Sequence, residues 1–108
     1  MLKTSLDFTV ILVTFRRLDL FKRAIQSIQN QSLLNYECLV FNDYPQENEL
    51  IDKIISILDD PRFKFIPSKQ SLGANHWRNV GVTMAAGEYI AFLDDDDRWF
   101  QEKLNEHY

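Results

Sequence analysis

The apolar residues of this chain change period several times, from continuous runs to helical spacing and back, and this alternation marks βαβ units built on a parallel sheet. Phe8 to Val13 is an unbroken run and reads as a first strand. Leu18, Phe21, Ile25 and Ile28 then recur at helical spacing between Arg16 and Asn30, with polar residues on the other faces. Tyr36 to Phe41 reads as a second strand, Asn42 to Pro45 as a turn, and Leu50, Ile51, Ile54, Ile55 and Leu58 as a second helix stopped by Asp59, Asp60 and Pro61. Phe63, Phe65 and Ile66 predict a short third strand. A third helix is expected from about Ala74 to Ala86, with Trp77, Val80, Gly81 and Met84 inward and Gly87 closing it at positive φ. Tyr89 to Leu93 is wholly apolar and is expected to be a strand buried on both faces.

With 108 residues, 45% of them hydrophobic, the chain has material for one core and little for a second domain. Its 16 acidic against 12 basic residues give a net charge of −4, and no Lys/Arg block is long enough to follow a phosphate backbone. That balance argues against nucleic acid as a partner. Phe8 to Phe15 contains Thr9 and Thr14 and is followed by Arg16 and Arg17, so it reads as a strand rather than a signal peptide or membrane segment. A cytoplasmic location is the corresponding expectation. The lone Cys38 lies inside a strand run with no base near it in sequence, which reads as a core thiol.

Polar residues cluster where parallel strands end: Thr14 and Arg16 after the first, Asn42 and Asp43 after the second, and Asp94, Asp95, Asp96 and Asp97 after the fourth. Open α/β sheets bind ligands at these ends, and a strand order of 3-2-1-4 sets the first and fourth strands side by side. Carboxylates about 5 Å apart repel by roughly 3 kcal/mol at an effective dielectric near 20, so the aspartate run calls for a positive partner. Mg²⁺ or Mn²⁺ fits hard oxygen donors. Arg98, Arg78 or Arg16 is the alternative, and a solvated acidic loop is the plainest reading. Counting from Asp94, Trp99 and Asn105 stand where a calcium-binding EF-hand loop needs Gly and Glu. Neither His76 nor His107 has a zinc-spaced partner, and no Walker or G-x-G-x-x-G loop is present.

The stretches VILVTFR (Val10 to Arg16), AIQSIQNQ (Ala24 to Gln31), LVFND (Leu39 to Asp43), LGANHWRNVG (Leu72 to Gly81) and GEYIAFLDDDDRW (Gly87 to Trp99) occur in this order. Together they resemble the N-terminal, nucleotide-binding half of family 2 glycosyltransferases. The counterparts in that family are P-T-Y-N, a helix ending in N-Q, D-D-G-S, L-G-x-x-x-A-R-N-x-G and the D-x-D motif. The resemblance implies a three-layer α/β/α fold of GT-A type with a mainly parallel sheet. It also implies a metal-dependent, inverting transfer of sugar from a nucleotide-diphospho-sugar, a UDP-sugar first of all, to the hydroxyl of a glycan or other acceptor.

Carried over by position, Thr14 and Phe15 would line the nucleoside pocket, and Asp43 would accept a hydrogen bond from a base such as uracil. Asp95 would lie near the ribose, Asp94 near the sugar or metal, and Asp96 would ligate Mn²⁺ or Mg²⁺. Arg78 matches the R of R-N, as a donor contact or as a brace for the aspartate loop. For Phe15, simple core is the competing reading. Val13, Arg16, Tyr44 and Trp77 stand where the motifs have proline, asparagine, glycine and alanine. Arg16 thereby adds a cation suited to a phosphate or an aspartate, and Tyr44 is expected to narrow the base pocket. No residue matches the family's catalytic base, so residues 1–108 are expected to be the donor half of a longer domain. An open sheet edge and an uncovered apolar face are expected with it, a face that a second copy of the chain would be able to cover. A non-catalytic nucleotide-sugar-binding module and an interaction scaffold are the rival readings.

Overall fold

The structure, a computed structural model, describes residues 6–32 and 34–94. In chain order it comprises β1 (Leu6–Thr14), α1 (Leu18–Gln29), β2 (Tyr36–Asn42), a 3₁₀ turn (Pro45–Glu47), α2 (Asn48–Leu58), β3 (Phe63–Ile66), α3 (Ala74–Met84) and β4 (Gly87–Asp94). The sheet order is β3-β2-β1-β4 and every pairing is parallel. Both the expected order and the expected α/β class are present.

Strand alternation divides the core into two layers. On one face Phe8, Val10, Leu12, Tyr36, Cys38, Val40 and Phe63 meet Phe21, Ala24, Ile25 and Ile28 of α1 and Ile51 and Ile55 of α2. On the other, Ile11, Val13, Leu39 and Phe41 meet Trp77 of α3. Residues directly opposite in a parallel register share a face, so the pairs Ile11↔Leu39 and Val13↔Phe41 set the floor on which α3 lies. Cys38 is fully buried and free, and burial pushes its thiol pKa up, as suits an inert core sulfur.

Three expectations are corrected. β4 is an edge strand rather than one buried on both faces: it pairs with β1, and Tyr89, Ile90 and Phe92 are exposed, Phe92 at 51%. Its apolar run reflects an open face, as expected for the sheet edge, not a central position. α3 stops at Met84, whose side chain is exposed instead of inward. Gly87 does not close that helix at positive φ; Ala85 is the C-cap, in extended conformation, and Gly87 begins β4. The requirement there is close approach, since a Cβ on Gly87 would lie 2.4 Å from Phe8 C and Thr9 N.

A buried polar cluster holds this same end of the sheet. Glu37 accepts from Thr9 Oγ1 at 2.7 Å, Lys64 Nζ at 3.0 Å and the Ala86 N–H at 2.8 Å, while Gly87 N–H donates to Thr9 Oγ1 at 2.8 Å. Burial alone would raise the Glu37 carboxyl pKa, but the Ala86, Thr9 and Lys64 donors outweigh it and hold the group below its ordinary range.

Candidate functional site

The opposite end of the sheet carries the residues singled out from the sequence. Thr14 pairs with Asn42 and Val13 with Asp94, so the carboxyl ends of β2, β1 and β4 stand side by side at one level. The ladder runs one step past the strands, with Asp43 N–H donating to Thr14 O at 2.9 Å. Thr14 and Asp43 are both buried. This is where open α/β sheets take ligands.

Asp43 is the hub. Its Oδ1 accepts from the Leu72 N–H at 2.8 Å, the Gly73 N–H at 3.0 Å and Trp77 Nε1 at 2.8 Å; its Oδ2 accepts from Ser71 Oγ at 2.9 Å. From the end of β2 the carboxylate therefore holds the turn that leads into α3, near the helix N-terminus where the dipole favours negative charge. Gly73, the N-cap, has φ 91°, a conformation that L side chains rarely adopt, and this lets consecutive N–H groups turn toward one oxygen. Burial opposes ionisation of Asp43, yet the bonds from Trp77, Leu72, Gly73 and Ser71 prevail and hold its pKa below the usual aspartate range. Asp43 is thus an acceptor-only group; among the described residues Oδ1 takes three donors and Oδ2 one.

The Asn42 amide makes bonds that a carboxylate cannot. Its Nδ2 donates to Tyr44 O at 2.8 Å and Asn48 Oδ1 at 2.9 Å, and its Oδ1 accepts the Tyr44 N–H at 3.1 Å. Asn48 Nδ2 continues to Ser68 O at 2.7 Å, and Ser68 Oγ donates back to Asn42 O. This closed network pins the turn after β2 and the segment after β3. The sequence does not mark Asn48, Ser68 and Ser71 as site residues: Ser68 and Ser71 reach Asn42 and Asp43 from at least 26 residues away, and Asn48 bonds both Asn42, six residues before it, and Ser68, twenty after it.

Phe15, Arg16 and Tyr44 form the rim. Phe15 is 45% exposed, which removes the core reading, and its ring meets Tyr44 edge-on at 5.7 Å. The Arg16 guanidinium lies over the Tyr44 ring, 5.0 Å from its centroid. Arg16 has φ 55°. Asparagine, the motif residue at this position, tolerates that left-handed backbone better than other residues bearing a Cβ; arginine holds it at a cost of about 1 kcal/mol, comparable to what the cation–π contact returns. Two of the departures noted in the sequence, Arg16 and Tyr44, are thus in contact, and a third, Trp77, is bonded to Asp43.

The structure therefore brings Thr14, Phe15 and Asp43 together. Arg78 follows Trp77 on α3, and its Nη1 donates to Asn75 Oδ1 at 3.1 Å. Asp94 ends β4 at the same end of the sheet. Asp95, Asp96, Arg98 and His107 lie outside the described residues. Among the described residues no cluster of three His, Cys, Asp or Glu side chains forms a metal site, and no helix is long and apolar enough to cross a membrane.

Comparison with known proteins agrees with this arrangement. The model of glycosyl transferase family 2 matches residues 9–108, and the chain belongs to that family. It is 32% identical over 104 residues to the putative colanic acid biosynthesis glycosyl transferase WcaA of Escherichia coli (strain K12), covering 96% of this chain and 37% of the relative. It is 36% identical over 100 residues to the GalNAc(5)-diNAcBac-PP-undecaprenol beta-1,3-glucosyltransferase of Campylobacter jejuni, covering 90% of this chain and 32% of that protein. The chain thus spans about a third of the length of these two relatives. S. aureus TarS 1-349 in complex with UDP shares the fold at TM-score 0.81 and 23% identity, over 94% of this chain and 31% of that one. The mannosyltransferase PcManGT of Pyrobaculum calidifontis, in complex with GDP-Man and Mn2+, does so at TM-score 0.76 and 20% identity, over 85% and 28%. The fold is that of the GT-A glycosyltransferases.

Proposed function

We propose that residues 1–108 are the donor-binding half of a metal-dependent, inverting glycosyltransferase that moves a sugar from a nucleoside-diphosphate donor, UDP-linked first of all, to an acceptor hydroxyl. The observation that carries this reading is Asp43: a carboxylate held ionised by four donors, beside an exposed aromatic ring, at the carboxyl ends of parallel strands. In this reading Oδ2 of Asp43 takes an N–H of the base, Phe15 covers a face of the base, and Thr14 forms the floor. The UDP complex of TarS and the GDP-Man complex of PcManGT support a nucleotide donor, and the second also supports a divalent cation.

The chemistry of the donor set fits that ion. Asp94, which ends the strand neighbouring β1, and Asp96 in the sequence after it offer the hard carboxylate oxygens that Mn²⁺ or Mg²⁺ prefers. When bound there, the ion would neutralise charge building on the diphosphate leaving group. Asp43 and Phe15 hold the nucleoside so that the sugar lies over the β1 and β4 ends, where an acceptor hydroxyl is able to approach the anomeric carbon opposite the diphosphate. The name of the Campylobacter relative points to a glycan on a polyprenyl diphosphate carrier as the acceptor class.

Calorimetric titration of the chain with UDP and Mn²⁺ tests the reading. Saturable binding that weakens at least about tenfold in EDTA is expected. Absence of binding by the folded chain overturns it.

A further inference from the structure

Arg16 is not accounted for by the arrangement above. It follows Phe15 at the end of β1, yet its guanidinium is held over Tyr44, the residue after Asp43 at the end of β2. The order β3-β2-β1-β4 sets β2 and β4 on opposite sides of β1, about 10 Å apart at the usual strand spacing. Over Tyr44, the guanidinium lies beside the residue that follows Asp43, on the β2 side of β1 rather than the β4 side. A cation meant for the diphosphate or for the aspartate run belongs on the β4 side. The ring contact also favours side-chain conformations that keep the guanidinium near the end of β2.

We propose that Arg16, braced on Tyr44, is a specificity-determining residue that donates a hydrogen bond to a carbonyl oxygen of the nucleobase, selecting a keto base of the uracil type. The argument is one of complementarity. Asp43 is an acceptor, and a uracil edge sets an N–H directly between two carbonyls. A donor placed next to that acceptor completes the match, whereas cytosine mismatches both contacts, offering an amino group to the donor and a bare ring nitrogen to the acceptor. Tyr44 is the positioning residue, acting through Arg16. The inference rests on the nucleotide-binding reading of the preceding subsection.

The experiment compares binding of UDP and of inorganic diphosphate, each with Mg²⁺, to the chain and to its R16M, Y44F and Y44A variants. R16M keeps an unbranched stem and removes the donors, and circular dichroism checks that the variants fold. Affinity for UDP is expected to fall at least about tenfold in R16M, with diphosphate affinity unchanged. Y44F, which keeps the ring, is expected to behave as the parent, and Y44A to lose UDP affinity toward the R16M value. Equal weakening of UDP and diphosphate in R16M would make Arg16 a phosphate contact and overturn the proposal, as would an unchanged UDP affinity; both leave the nucleotide-binding reading standing. A folded parent chain that binds no UDP overturns both.

Discussion

Trp77 Nε1 donates to Asp43 Oδ1 across 2.8 Å and so ties α3 to the end of β2, two segments 34 residues apart in sequence. The indole also stacks on Phe41, with centroids 5.9 Å apart and planes 20° from parallel, so its N–H direction is set by packing. Alanine, the motif residue at this position, makes neither contact. Trp77→Phe is expected to keep the stacking and lose the bond, destabilising the chain by about 1–2 kcal/mol in urea unfolding at pH 7.

The pH dependence of that loss follows from the depressed pKa of Asp43. A carboxyl depressed in the folded state contributes stability that is complete above the unfolded value, near 3.9, and is lost as pH falls through the folded value. With the indole donor gone, the folded value rises. Trp77→Phe is therefore expected to lose less stability than the parent between neutral and acid pH, narrowing the gap between the two as pH falls below about 4. Paired urea titrations across that range check it.

Glu37 predicts the same sign at the other end of the sheet. Three donors converge on it, so Glu37→Gln removes the charge and turns an amide NH₂ toward at least one of them. A loss of about 2 kcal/mol at pH 7 is expected, with a flatter stability profile below about pH 4.3 than the parent shows. Urea unfolding at several pH values measures both.

Gly87→Ala places a Cβ against backbone atoms of Phe8 and Thr9, neither of which is able to yield without shifting β1 from β4. A loss of about 2–3 kcal/mol is expected, measured by urea unfolding.

Phe15→Ala separates function from stability. The ring is exposed and touches Tyr44 edge-on, so stability is expected to change by less than about 1 kcal/mol. UDP affinity in calorimetry is expected to fall at least about tenfold, the usual scale of base stacking on an aromatic ring.

What the sequence reveals of this molecule follows the range of the interactions. Apolar runs and helical spacing mark the described strands and α-helices because both periods are local, whereas the sheet order is one that doubly wound folds use and no residue pattern dictates it. The position of β4 is not local: the same apolar run serves a buried strand or an edge with an open face, and only pairing distinguishes them. Gly87 misleads for a similar reason, since a glycine after a helix reads as a cap while its cause is the backbone of β1. At the site, Thr14, Phe15 and Asp43 are legible from motif resemblance and strand-end position. The bonds that make Asp43 an acceptor come from Ser71, Leu72, Gly73 and Trp77, all at least 28 residues away, and no periodicity points to them. Trp77 reads from the sequence as an inward core residue, which it is; its N–H carries the second role.

The location of nucleotide binding is the central claim, and an amide chemical-shift titration of the ¹⁵N-labelled chain with UDP and Mg²⁺ tests it most directly. The account predicts saturable shifts in the Leu72, Gly73 and Tyr44 amides and in the Trp77 indole N–H, with the Ala86 and Gly87 amides at the far end of the sheet unmoved. Shifts confined to Ala86 and Gly87, or no shifts at all, would contradict it.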